Sequence, residues 1–198
     1  MNEFSEDESK TKQIAPLIEK LLTIVGEDVN RDGLKETPKR VAKAYQEMLQ
    51  GYTQNPKDVF KIFDSEGFEG IITVSDINFH SLCEHHMVPF FGQVHIGYVP
   101  NGKILGLSKF GRLVEIYARR LQVQEKMTKQ IADDIMEYLH PKGVIVVSQA
   151  EHLCMNMRGV KKIGSVTKII TKRGVFAEQK KLADEFFLQI GSKKMTCK

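Results

Sequence analysis

The sequence predicts an α+β protein, a helical N-terminal region followed by an antiparallel sheet with two helices. Three observations carry this. Apolar residues recur at three- and four-residue steps through the first quarter of the chain. β-Branched, roughly alternating stretches then take over. Two helical patterns separate those stretches from a second strand pair, an order of strand, strand, helix, helix, strand, strand. A doubly wound parallel sheet would instead alternate strand and helix throughout.

Residues 1–12 are polar and poor in apolar side chains, and they read as a disordered tail. From residue 13 the pattern is helical, with Ile14, Leu17, Ile18, Leu21, Leu22 and Val25 on one face and Gly26 as a stop. A second helix is expected from Thr37-Pro38. Thr37 suits the N-cap, and Pro38 suits the first helical position, where its missing N–H costs nothing. Val41, Tyr45, Met48 and Leu49 line its apolar face up to Gly51. Residues 13–65 are thus expected as a helical region and 66–198 as the second domain.

In that second domain, 71–79 and 90–99 are strand candidates, the latter closed by Pro100-Asn101-Gly102. Leu113, Ile116 and Tyr117 mark one helix. Met127, Ile131, Ile135 and Leu139 mark another, which Pro141-Lys142-Gly143 ends. Val144-Ile145-Val146-Val147 starts a buried strand expected to run to about Cys154. Residues 166–176 are expected as its antiparallel partner, and 182–190 as a closing helix.

Composition narrows the classes of function. With 41% hydrophobic and 27% charged residues among 198, the chain has the make-up of a globular domain, not of a disordered polymer or a disulfide scaffold. No apolar run reaches membrane-spanning length, and Met1 to Glu8 is acidic and lacks the apolar core of a secretory signal, so a cytoplasmic protein is expected. A net charge of +4 and the absence of tryptophan give no stripe for nucleic acid. Of three cysteines, two have histidine neighbours and Cys197 reads as a free thiol. In a reducing compartment such Cys/His clusters point to metal or catalysis before disulfides.

The first cluster is Cys83-Glu84-His85-His86, where the two-residue gap lets one tight turn aim Cys83 and His86 at a single ion. The second is His152-Leu153-Cys154. On a strand, positions i and i+2 share a face, so His152 and Cys154 are expected to look the same way. Spacing alone leaves several arrangements open. All four groups could enclose a structural ion. Three could hold it while the remaining histidine moves protons. Each could also be an ordinary buried or surface residue.

A third feature is Gly106-Leu107-Ser108-Lys109-Phe110-Gly111-Arg112. Ser108 is a candidate N-cap, Lys109 and Arg112 share a side of the first helical turn, and a helix start favours anions. A plain capped helix with solvated cations fits the same residues. Arg158 lies close after Cys154, and Gln124-Glu125 precedes a helix, where Glu125 could accept hydrogen bonds from a ligand or simply serve the dipole.

Taken together, these segments resemble the GTP cyclohydrolase I family. The resemblance rests on GLKETPKRV at 33–41, CEHH at 83–86, GLSKFGR at 106–112, QVQE at 122–125 and EHLCMNMRGV at 151–160. It implies Zn2+ held by Cys83, His86 and Cys154 with a position open to water, and His85 and His152 as catalytic histidines. It also implies that Ser108, Lys109, Arg112 and Arg158 engage the triphosphate or its surroundings, with Ser108 a possible participant at the sugar. Gln124 and Glu125 would serve the purine. The implied reaction is hydrolysis of GTP with loss of C8 as formate, giving 7,8-dihydroneopterin triphosphate. The implied fold is a T-fold, a four-stranded antiparallel sheet with two helices on one face, assembled into a homodecamer with active sites shared between subunits. Another T-fold enzyme, or a zinc-stapled module that binds anions without catalysis, are the competing readings.

Overall fold

The structure is a computed structural model and describes residues 3–191. The chain divides into two compact units, one up to Gln50 and one from Gly51 onward. Residues 51–65, grouped by composition with the helices, thus belong to the second unit. Within that unit the Gly51 amide donates to the Arg119 carbonyl at 3.0 Å, and Ile62–Asp64 pairs with a later strand.

The first unit is a pair of helices, α1 (Glu3–Ile24) and α2 (Thr37–Met48). Helix α1 begins inside the stretch expected as a tail. Its Glu, Lys and Gln residues are strong helix formers, and Gln46 Nε2 of α2 donates to Thr11 Oγ1 at 2.8 Å. The expected Thr37 N-cap is corrected. Glu36 occupies the cap without a side-chain bond, and the Thr37 hydroxyl donates back to the Gly33 carbonyl. The reading of Cys197 as a free thiol falls outside the described residues.

The second unit runs β1 (Ile62–Asp64), β2 (Ile72–Cys83), β3 (Pro89–Val99), β4 (Lys103–Leu105), α3 (Leu107–Ala118), β5 (Leu121–Gln122) and α4 (Gln124–Leu139). It continues with β6 (Gly143–His152), α5 (Leu153–Asn156), β7 (Val166–Gly174), α6 (Val175–Glu178) and α7 (Lys180–Gly191). The main sheet has the order β5-β2-β3-β6-β7, antiparallel except for the two-residue β5 beside β2. The α+β expectation therefore holds, with β5 as a short addition.

Alternation decides which face each strand residue serves. Val94, Ile96, Tyr98, Val144 and Val146 pack with Phe110, Leu113 and Val114 of α3 and Met127, Ile131 and Ile135 of α4 in the larger core. Ile145 and Val147 point the other way, onto Phe176 and Phe186. Both faces of β6 are thus covered, which is why Val144–Val147 is an unbroken apolar run.

This topology sets up the site. β2 ends at Cys83 and β3 begins at Pro89, with Leu82 facing Pro89, so residues 84–88 form the turn of a hairpin. β6 returns antiparallel to β3 and pairs His152 with Phe90. The end of β6 therefore lies at the same end of the sheet as the Cys83 turn.

Candidate active site

The hairpin turn holds its shape through the backbone. Cys83 N donates to Val88 O at 3.0 Å, Met87 N to Cys83 O at 2.8 Å, and Glu84 N to Gln122 O at 2.9 Å. The turn needs a left-handed residue, which Met87 supplies with φ 54°. Cys83 Sγ is left 3.9 Å from His85 Nδ1 and 4.0 Å from His86 Nδ1.

The strand expected to run to about Cys154 is shorter. β6 stops at His152, and Cys154 sits in the helical turn α5, so the two do not share a strand face. The chain turns at Leu153 because its backbone enters a helical hydrogen bond, Met157 N to Leu153 O at 2.9 Å. Cys154 is swung toward the hairpin, and His152 is left beside it.

Cys83, His86 and Cys154 consequently form a group able to hold a metal ion, their donor atoms all lying within 4.8 Å of one another. Two thiols and an imidazole about a tetrahedral zinc would stand roughly 3.5–3.8 Å apart, a contraction small enough for side-chain torsions to absorb. No disulfide competes, since Cys83 and Cys154 are both free. Burial and the neighbouring Cys83 push the Cys154 thiol above its ordinary pKa, while the charge of Arg158 pulls it down. A cation among the donors removes that penalty, because the thiolate is the metal-binding form.

His152 is fixed on two sides. Its ring stacks on Phe90 with centroids 4.8 Å apart and planes 2° from parallel. Its Nε2 lies 2.9 Å from Gln124 Oε1. Gln124, 1% exposed, in turn donates from Nε2 to Ser148 O, Ser148 Oγ and Thr167 O at 3.0–3.2 Å. Burial lowers the pKa of His152, and the negative charge of Glu125 opposes that shift. Glu125 itself is exposed in the first turn of α4. Thus Gln124, expected with Glu125 at the purine, has its amide committed inside the chain, and Glu125 is left facing outward.

The cationic group is not gathered at this end. Helix α3 starts near the Val99 end of β3, where the Tyr98 ring meets Phe110 at a 35° tilt with centroids 5.6 Å apart and Leu105 N donates to Tyr98 Oη at 3.3 Å. The eleven residues of β3 separate that end from the metal group by roughly 30 Å at ~3.3 Å per residue. Ser108 and Lys109, at the start of α3, therefore stand apart from Cys83, His86 and Cys154 within one chain, and Arg112 follows one turn further along the helix. The expected Ser108 N-cap is also corrected, since Gly106 precedes the helix and no side chain caps it. Arg158, by contrast, lies within electrostatic reach of Cys154.

Sequence reasoning missed Phe90, Ser148 and Thr128. Phe90 gave no signal, being one apolar residue among many. Ser148, a hydroxyl directly after Val144–Val147 and 0% exposed, was visible as a polar residue inside a buried strand. The Thr128 and Ser148 hydroxyls lie 2.6 Å apart.

Comparison with known proteins decides the family. The GTP cyclohydrolase I family model matches residues 14–191. The chain belongs to the GTP cyclohydrolase I family. It is 49% identical over 185 residues to GTP cyclohydrolase 1 of Campylobacter jejuni strain RM1221, covering 92% of this chain and 97% of that one. It is 53% identical over 167 residues to GTP cyclohydrolase 1 of Lysinibacillus sphaericus, covering 84% and 88%. Among solved structures, the apo archaeosine synthase QueF-Like aligns with TM-score 0.44 and 17% identity over 54% of this chain and 96% of that chain. The family's T-fold accounts for the antiparallel sheet with α3 and α4 on one face. Among the described residues, no helix is long and apolar enough to cross a membrane.

Proposed function

We propose that this chain hydrolyses GTP, releasing C8 as formate and closing the product to 7,8-dihydroneopterin triphosphate, in a cytoplasmic setting. The observation that carries the reading is the convergence of Cys83, His86 and Cys154 beside an ordered His152 in a chain of this family.

Cys83, His86 and Cys154 are the residues that would hold zinc, and the soft donor set suits that ion. When bound there, zinc supplies Lewis acidity for hydrolysis at C8. The remaining work belongs to the chain. His152, ordered by Phe90 and Gln124, exchanges a proton with N7 of the purine. His85, exposed on the same turn and near Cys83, serves the later proton movements of ring opening. Glu125 accepts hydrogen bonds from the N–H groups of the guanine edge.

Lys109 and Arg112 hold the triphosphate, with Ser108 at the sugar. Their separation from the metal group within one chain supports a homo-oligomeric assembly in which α3 of one subunit serves the hairpin of another. An open edge at β7, with Val166 and Ile170 exposed, supports strand pairing between subunits, in a decamer on this reading.

The test is direct. Purified full-length protein is incubated with GTP, and formate and the fluorescent oxidised pterin are measured together. Both should accumulate in equal amounts and stop when the metal is removed. Production of neither by metal-loaded protein would overturn the reading.

A further inference from the structure

Gln124 presents a constraint that the purine-binding expectation does not use. Ser148 O and Thr167 O are backbone carbonyls and can only accept, so the nitrogen of the Gln124 amide must face them. That fixes Oε1 on the opposite side, 2.9 Å from His152 Nε2. An amide oxygen also only accepts. The hydrogen bond therefore requires a proton on Nε2, whatever the charge of the ring.

We infer that Gln124 is a positioning residue that locks His152 in its Nε2–H form and leaves Nδ1 as the nitrogen that exchanges protons with the ligand. The lock is built from three elements. α4 supplies Gln124, β6 supplies Ser148, and β7 supplies the Thr167 carbonyl. Thr128, one turn further along α4, donates to the Gln124 carbonyl at 2.7 Å and lies 2.6 Å from Ser148 Oγ, so the hydroxyls beneath the amide are themselves held. Phe90 prevents the ring from tilting out of the amide plane's reach. Gln124 is buried, so its side chain acts on the reaction through His152 and not by touching the purine.

This rests on the GTP-hydrolysis reading, and two readouts keep the two apart. The first is magic-angle-spinning 15N spectroscopy of the full-length, zinc-loaded protein labelled at histidine, with His152 assigned by its loss in His152→Asn. The expected spectrum shows Nε2 protonated and Nδ1 bare in the neutral ring. The reverse tautomer in the wild-type protein overturns the inference, whatever the activity.

The second readout is steady-state kinetics of Gln124→Met, which keeps the volume and removes the amide. The turnover number should fall by about ten- to a hundredfold, with KM for GTP within about threefold of wild type, and the His152 signals should split between tautomers. A raised KM at unchanged turnover would instead mark Gln124 as a purine contact and overturn the proposal. Ser148→Ala, which deletes one partner of the amide, should shift the same signals in the same direction by less, and it decides the matter if Gln124→Met does not fold. Wild-type protein that makes no formate yet shows the expected tautomer sinks the GTP reading and leaves the lock standing.

Discussion

Phe90 and His152 face each other across the β3–β6 pair with their rings parallel to within 2°. The contact joins the core to the reacting edge, because Phe90 is fully buried and also meets Phe79 edge-on at 5.7 Å. Phe90→Ala should cost about 3–5 kcal/mol of stability, the usual range for truncating a buried phenylalanine. Phe90→Leu fills most of the space and should cost far less, yet it loses the flat surface under the imidazole. We expect Phe90→Leu to stay folded by denaturant titration and to lose turnover. Equal turnover in Phe90→Leu and wild type would show that the stack does not order His152.

The metal group makes a prediction independent of activity. Cys83→Ser and Cys154→Ser each replace a thiolate donor with a hydroxyl that does not ionise near neutral pH, so bound zinc should fall from about one ion per chain to a small fraction. Elemental analysis after gel filtration measures this. Thermal unfolding of wild type should drop on treatment with a chelator, because a ligand that binds only the folded state stabilises it. Both serine variants should be insensitive to the same treatment.

How much of this was legible in the sequence varies by residue. Cys83 and His86 announce themselves because ligand spacing in a tight turn is a local property. Cys154 reaches Cys83 by a route that strand alternation does not give: it lies past the strand end, and its approach comes from the β2–β3–β6 pairing, which no short window contains. Helix caps at Thr37 and Ser108 were misread by one or two positions, since propensity places a helix start less sharply than backbone bonding does. The length of α1 was underestimated because a polar segment can satisfy its backbone in a helix without an apolar stripe of its own. The partners of Gln124 come from β6 and β7, far along the chain, and burial of its amide could be seen only once those strands were in register.

Lys109, at the start of α3, stands far from the metal group in its own chain, and this gives a mixing experiment. A charge-assisted contact to phosphate contributes about 1.5–3 kcal/mol, so Lys109→Ala should weaken GTP use by roughly ten- to a hundredfold, mainly in KM. Lys109→Ala and Cys154→Ser proteins, unfolded together and reassembled, should recover part of the wild-type activity, because some mixed sites draw an intact α3 and an intact metal group from different chains. No recovery in assemblies shown by native mass measurement to be mixed would argue that each site belongs to one chain.

His95 predicts a pH dependence of stability away from the site. It is buried on β3. Desolvation lowers its pKa below the ordinary 6.5, and the charge of Lys168 adds to that, while Asp76 opposes it. Asp76 N donates to His95 Nδ1 at 3.1 Å, an arrangement that needs the bare nitrogen of a neutral ring. Above the unfolded pKa both states are neutral and the group is silent. As pH falls below it, the unfolded chain takes up a proton that the native ring resists, so stability declines until the depressed native pKa is passed. His152 shares the direction of this shift. His95→Gln should therefore remove only part of the loss of unfolding free energy between neutral pH and mild acid. An unchanged slope in that variant would show that His95 already binds its proton when folded.

Gly92 tests whether the β3–β6 register itself places the chemistry. It sits two residues from Phe90 and opposite Ala150, two residues before His152. A Cβ added there would collide with the Gln149 carbonyl oxygen and come within 2.8 Å of Ala150 Cα, both backbone atoms that cannot rotate aside. Relief requires the two strands to separate locally, which pulls the Phe90 ring from the His152 imidazole and strains the ladder on either side. Gly92→Ala should therefore be as damaging as a core truncation, about 2–4 kcal/mol, although it adds a single methyl group. Its neighbour in the same strand supplies the control. Gln93→Ala removes an exposed-side hydrogen bond to Asn78 and should change stability by less than about 1 kcal/mol. If Gly92→Ala unfolds at the wild-type denaturant midpoint and keeps full turnover, the strand pair tolerates the shift, and the close backbone approach is not what holds His152 at the metal end of the sheet.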